Sequence, residues 1–356
     1  MTRRFRFRTV DVFTDRPFRG NPLAVFPEAD GLSDTDMQDI AREMNLSETS
    51  FVLTPTERGR AKGADYRVRF FTPGLELPFA GHPSIGTAWV LADEGRFPVT
   101  DAGSEARQEV REVRQELPIG VLPLTLRFGG PGTDKPVIGE VTMTQGAPEL
   151  LQHLDEDQVN EICEALQVAR ETIGWPDSAP GEDVIPAIIS TGLAHLVIPL
   201  RERALMDDID RDRTDELAEI CEELGVVSAA IVAPGGSGAI PDADASVRIF
   251  DSSEMRIDVD PATGAAAGPI AVLLGKAEGT RGGTFRVVLE QGVEIGRPSR
   301  LVAEVDFTDD GRPGEVRVAG TVMPVMEGWL TLPGLGFETP AASRAARLDR
   351  TKKETL

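Results

Sequence analysis

The feature that most constrains this chain is a repeat. Residues 66–93, YRVRFFTPGLELPFAGHPSIGTAWVLAD, and 245–275, ASVRIFDSSEMRIDVDPATGAAAGPIAVLLG, are two versions of one design. In the first, Tyr66, Val68 and Phe70 alternate with Arg67 and Arg69, a period-2 pattern that predicts a strand. Pro73-Gly74 then signals a turn. Ser84 to Asp93 follows, apolar on all sides, which predicts a buried helix with Pro83 in its first turn and Gly95 near its end. A shift of 179 residues carries Val68-Arg69 and Phe71 onto Val247-Arg248 and Phe250, Pro55 onto Pro234, and Thr35-Asp36 onto Thr214-Asp215. One gap-free shift linking a helix start, a strand end and a second strand marks an internal duplication, with a period far too long for a solenoid. Gly192, Val197 and Pro199 echo Gly20, Val25 and Pro27 at a shift of 172, so the duplication reaches back with an insertion between its segments. The expectation is an α+β chain of two similar domains, with helices near 83–93 and 265–274 in equivalent buried places.

At 356 residues each half is long enough for its own core. The formal net charge of −22 argues against nucleic acid or an acidic membrane surface as a partner. No run approaches the roughly 18–20 apolar residues of a membrane span. The opening MTRRFRFRTVDVF alternates like a strand and lacks the apolar core of a signal peptide, so a cytoplasmic location is expected. The two cysteines, Cys163 and Cys221, sit on apolar helix faces and read as small buried hydrophobes. They make no metal-ligand spacing, and no metal site is expected.

In order, Phe5–Phe13 and Leu23–Phe26 read as strands. Ser33 N-caps a helix carrying Met37, Ile40, Ala41 and Met44, which stops near Asn45. NLSETSFVLTP then turns into a strand. Residues 100–116 are charged and poorly patterned, hence surface. Val121–Phe128 and Ile138–Gln145 read as strands, separated by the loop PGTDKP. The second half opens with a helix bearing Val159, Ile162, Cys163 and Leu166, then the loop WPDSAPGED and the apolar run Ile185–Leu200. A helix on Leu217, Ile220 and Leu224 and a strand over 226–234 follow. Late strands cover 285–289, 301–307 and 316–323, and a polar tail begins after Pro333. The expected division is 1–130 and 138–330, the last strands packing back on the first domain, with a tail over 333–356.

A duplication supplies its own control, because polar residues present in only one copy are not needed by the fold. Asn21 faces Leu193, Glu48 faces Val227, and Gly81-His82 faces Asp260-Pro261. Each has a structural alternative: a turn for Asn21 and Glu48, a backbone-satisfied helix end for His82, an N-cap for Asp260. His195 lies in an apolar strand and reads as structural; His153 reads as surface. Together the first four, at the ends of duplicated elements, point to a site between the halves. A helix N-terminus there attracts anions.

The segments GNPLAVF, NLSETSFV, FTPGLELPFAGHPSIGTA, STGLAHLVIPL, DPATGAAAG and VLEQGVEIGRPS resemble the phenazine-biosynthesis PhzF-like proteins, in order, from about residue 5 to about residue 330. The resemblance implies the diaminopimelate-epimerase fold, each domain a sheet wrapped around a central helix, and a homodimer working without a cofactor. It implies isomerisation of trans-2,3-dihydro-3-hydroxyanthranilate or of another small carboxylate. It makes Glu48 the acid/base, with His82 and Asp260 as polar site groups, and Asn21, Gly81, Gly264 and Ala265 beside the substrate. The chain departs from the family in two places. Ala265 stands where DPATGSA has serine, and Val259 where an acid commonly precedes Asp260. The alternatives are an epimerase or racemase of the related fold, which uses paired cysteines that the two helix starts here lack, and a non-catalytic binding protein.

If the thiols are structural, replacing Cys163 and Cys221 by alanine lowers stability through the cavities left but preserves turnover per folded molecule. Loss of turnover in the folded double variant would restore a thiol mechanism.

Overall fold

The computed structural model describes residues 2–97, 109–129, 138–176, 178–179, 184–209, 214–251 and 260–333. The 131–136 loop, part of the 175–183 loop, Val259 and the tail from 334 lie outside the described residues. The first half contains β1 (Arg3–Val12), β2 (Asn21–Phe26), α1 (Asp34–Met44), β3 (Glu48–Leu53), α2 (Glu57–Ala61), β4 (Tyr66–Phe71), β5 (Glu76–Leu77), α3 (Gly81–Asp93), β6 (Glu109–Leu117), β7 (Gly120–Phe128) and β8 (Ile138–Thr144). The second contains β9 (Glu149–His153), α4 (Glu156–Leu166), β10 (Ala187–Ser190), β11 (Ala194–Pro199), α5 (Ala204–Asp208), α6 (Thr214–Leu224), β12 (Ser228–Pro234), β13 (Ala245–Asp251), α7 (Gly264–Ala277), β14 (Gly283–Gln291), β15 (Ser299–Phe307) and β16 (Pro313–Gly320). A final strand, β17 (Val322–Leu332), returns to the first half.

Local chemistry sets several boundaries. Ser33 and Asp36 close a capping box over α1, and Asn45 ends that helix in the left-handed conformation at φ 50°. Asp155 and Gln158 do the same for the start of α4.

Strand pairing exposes the duplication in its purest form. In the first half the neighbours run β17–β1–β2–β3–β4–β6–β7–β8, and the senses are antiparallel, antiparallel, parallel, antiparallel, parallel, antiparallel, antiparallel. In the second the neighbours run β9–β10–β11–β12–β13–β14–β15–β16 with the same succession of senses. The two series meet where β8 pairs antiparallel with β16. The chain passes from one series to the other after β8 and comes back after β16.

Each series curls around a helix. α3 packs against β1, β2, β3, β7 and β8, and α7 against β10, β11, β12, β14, β15 and β16. Nearly every residue of both helices is buried, as their all-round apolar sequences require. The hydrophobic clusters make layers. One holds both central helices and the inner strand faces, a second packs α4 and α6 on the outside of β10–β12, and a third packs α1 on the outside of β2 and β3.

Three sequence expectations need correction. Of residues 100–116, read as unpatterned surface, 100–108 lie outside the described residues and 109–116 belong to β6, whose Val113, Gln115 and Leu117 are buried. The alternation is masked because a glutamine holds one inner position, where its amide donates to Ser84 Oγ at 2.9 Å. The segment 316–323 is split between β16 and β17 at Thr321, whose carbonyl accepts from the Phe13 amide at 2.8 Å. The helix starts are also 183 residues apart, not 179, so Gly81 corresponds to Gly264 rather than to Asp260.

Leu91 is fully buried on α3. Leu91→Ala is expected to cost about 2–5 kcal/mol in chemical denaturation, by lost transfer energy plus the cavity left behind. A loss below about 1 kcal/mol would contradict the central position of α3.

Candidate active site

The first turns of α3 and α7 touch head to head. A Cβ on Gly81 would lie 2.8 Å from the Ala265 nitrogen and 2.9 Å from the Gly264 carbonyl carbon; one on Gly264 would lie 3.3 Å from the His82 nitrogen. Gly81 must therefore be glycine for the helix ends to approach this closely, and a side chain at Gly264 would press first on the Phe13 ring at 3.0 Å. The N-caps are Ala80 and Thr263, and neither makes a side-chain cap bond. Asp260 is thus not the N-cap that its position before Pro261 suggests. Two positive helix ends converge on one place, where they favour negative charge.

The four polar residues found in only one copy meet there, all buried: Asn21 is 0 %, His82 3 %, and Glu48 and Asp260 each 7 % exposed. Asn21, at the start of β2, is their hub. Its Nδ2 donates to Asp260 Oδ1 at 2.5 Å and to the Ala262 carbonyl at 2.9 Å, and lies 3.1 Å from His82 Nδ1. Its Oδ1 accepts from Ser47 Oγ at 2.8 Å, which orients the amide. Nδ2 carries two hydrogens for these three neighbours and cannot itself accept, so His82 Nδ1 shares one of them as an acceptor, which leaves the ring proton on Nε2. Nε2 faces Glu48 Oε2 at 3.5 Å. Glu48 opens β3 immediately after the turn that follows α1, and β3 runs parallel to β2 with Glu48 beside Leu23.

Burial in the apolar interior pushes the His82 pKa down to about 3, so the ring is a neutral donor and not an imidazolium. Burial likewise raises the Asp260 pKa, against the opposing Thr263 hydroxyl, Ala262 amide and Asn21 amide. Thr263 Oγ1 donates to Asp260 Oδ2 at 2.5 Å. Ala265, in the first turn of α7, brings only a methyl group to this region.

Sequence reasoning missed the groups that hold these residues in place. Gln291, at the end of β14, donates to the Asp260 carbonyl at 2.8 Å and accepts from the Thr263 amide at 2.9 Å. Gln145 donates to the Gly264 carbonyl at 2.9 Å while accepting from Thr191 Oγ1 at 2.7 Å. Arg297 crosses from the second half to the Gly20 carbonyl at 2.8 Å and to Asp11 at 2.6 Å, clamping the turn before Asn21. Gln291 and Arg297 both lie in the VLEQGVEIGRPS segment, and their signal was its unusual polarity beside apolar strands. His195 stands apart, buried on β11 with Nδ1 2.9 Å from Ser228 Oγ, and His153 is exposed on β9.

The chain matches the family described as phenazine biosynthesis-like protein, PhzC-PhzF, over residues 10–328. Trans-2,3-dihydro-3-hydroxyanthranilate isomerase of Pseudomonas aeruginosa is 32% identical, covering 91% of this chain and 98% of that protein. The crystal structure of a PhzF-family phenazine biosynthesis protein of Bacillus anthracis aligns at a TM-score of 0.72 and 23% identity, over 92% of this chain and 99% of its own. A hydroxyproline epimerase of Agrobacterium vitis shares the fold at a TM-score of 0.59 and 12% identity, with 94% of each chain covered.

Burial also lowers the His195 pKa, to about 4. Neither the His82 nor the His195 ring is therefore expected to titrate between about pH 5 and 8 when followed by ring ¹⁵N shifts, although a free histidine would. The sign for stability follows: the unfolded chain takes up protons near pH 6.5 that these folded rings refuse, so their contribution falls as pH drops below about 6.5. A His82 ring titrating near 6.5 in the folded protein would refute its neutral assignment.

Proposed function

Because the chain belongs to the phenazine biosynthesis-like protein family, an isomerase family, we propose that it shifts a proton within a small carboxylate substrate, with Glu48 as the acid/base. The observation that carries this reading is the Glu48–His82 pair, at 3.5 Å, buried where two uncapped helix N-termini meet. Glu48 takes a proton from an activated C–H bond, the electron pair delocalises into the conjugated substrate, and the resulting carboxylic acid returns the proton to another carbon. No group is gained or lost. The neutral His82 Nε2–H stands 3.5 Å from that carboxylate, close enough to steer it, and Asn21, itself held by Asp260, fixes the imidazole from its other side. In this reading the backbone N–H groups at Gly81, Gly264 and Ala265 receive the substrate carboxylate. With all four polar side chains buried, water is kept from the returning proton.

The similarity to the Pseudomonas aeruginosa isomerase supports trans-2,3-dihydro-3-hydroxyanthranilate, and hence a phenazine pathway, as the first substrate to test. Ala265 makes the carboxylate site less polar than the DPATGSA version and favours trying other small carboxylates as well. We read the two eight-strand series as two domains and, from the family resemblance, the active molecule as a cytoplasmic homodimer.

Glu48→Gln keeps the size of the side chain but cannot accept and return a proton. It is expected to lower turnover by about 10²–10⁴-fold with little change in ligand affinity. In deuterated water the wild type should carry the substrate's own proton to the other carbon, with little deuterium incorporated. Exchange confined to a single inverted centre would mark an epimerase instead, and near-normal turnover by Glu48→Gln would remove Glu48 from the chemistry.

A further inference from the structure

The two central helices end in equivalent places, and those places are filled differently. Strand pairing and helix starts set Arg8 against Ala187, Val10 against Ile189, Trp89 against Val272 and Asp93 against Lys276. At the end of α3, Arg8 lies over the Trp89 ring at 5.7 Å and pairs with Asp93 at 2.8 Å, and Arg6 pairs with Glu94 at 2.6 Å. An indole and a set of ion pairs stand at that end of the first half, and the hollow of about 510 Å³ beside them is lined by charges of both signs, Arg6, Arg8, Asp93 and Glu94 among them.

At the end of α7 the small Ala187 and Val272 stand where Arg8 and Trp89 do in the first half, and a cavity of about 360 Å³ opens. Its inner wall is apolar, with Ile189, Val272 and Leu273. The charged or titratable side chains among its described lining are all basic: His153, Lys276 and Arg312. In a chain of 59 acidic and 37 lysine and arginine residues, a lining of that sign runs against composition. Arg312 shares its charge with Asp310 at 2.9 Å on the exposed rim, which leaves Lys276 as the main cation. Placement at the negative end of α7 accounts for a lysine on dipole grounds. It does not account for the loss of the indole and of the acidic partners that the first half carries. The cavity is also within the roughly 300–1,000 Å³ range of small-molecule sites.

We propose that this cavity is a second ligand site, taking a small carboxylate with an apolar body, aryl or short alkyl. Its carboxylate meets Lys276 and its body lies on Val272 and Leu273. Asn21, Glu48, His82 and Asp260 do not line it, so the site stands apart from the isomerase reading.

The test titrates the full-length protein with benzoate and with its neutral isostere benzamide, by calorimetry and by the methyl resonances of Val272 and Leu273. Benzoate is expected to bind saturably and shift those methyls, with benzamide at least about tenfold weaker. Lys276→Gln, a partly exposed position, should weaken benzoate about tenfold with benzamide unchanged. Val272→Trp, which restores the side chain of the first half, should abolish binding. Glu48→Gln should bind benzoate at this site as the wild type does, whatever its turnover. Unmoved Val272 and Leu273 methyls, equal affinity for benzamide, or undiminished benzoate binding by Lys276→Gln would overturn the proposal.

Discussion

The contact on which the rest depends is the backbone approach of Gly81 to Gly264 and Ala265. Two helix N-termini repel each other through their like partial charges, and here they meet without side-chain caps. What holds them is the wrapping around them. Each helix is enclosed by its own strand series, and the two series are joined by β8–β16 pairing and by β17 lying along β1. The unfavourable electrostatics of the junction are what make it receptive to negative charge, including the Asp260 and Glu48 carboxyl groups that surround it.

Polar contacts across the junction lock the relative placement of the halves. Asn21 reaches Asp260 and the Ala262 carbonyl, while Arg297 reaches back to Gly20 and Asp11. These bonds run in opposite directions across one boundary, so a displacement of either half disturbs the site from both sides. Asp11 shows how tight the fit is. Burial raises its pKa even though the Phe18 amide and the Arg297 guanidinium oppose the shift. A buried charge of that kind tolerates no loss of its partner.

The fold was legible because duplication doubles every signal. The strand ending in Phe71 and its copy ending in Phe250, the apolar helices and the Asn45 stop all follow from local pattern. The elements that escaped are those whose pattern is set by partners distant in sequence. β6 hides its alternation behind Gln115, which is satisfied only by Ser84 on α3. β9 is exposed along its whole length and exists because it pairs with β10. The pairing of Gly81-His82 with Asp260-Pro261 slipped by four residues because the link from β13 is longer than the one from β4. At the site, Asn21, Glu48, His82 and Asp260 stood out because the other copy lacks them. Gln145, Gln291 and Arg297 did not, since their work is to hold backbone carbonyls that no sequence pattern reveals.

The return of β17 has a consequence for how this molecule is made. Arg3 pairs with Leu332, so β1 waits for a strand made more than three hundred residues later. Until then β1 presents an unpaired edge of ten residues, the kind of edge that recruits strands from other chains. Alternate arginines at positions 4, 6 and 8 give that edge a positive charge that discourages self-association during the wait. Closure of the first half is thereby tied to completion of the second.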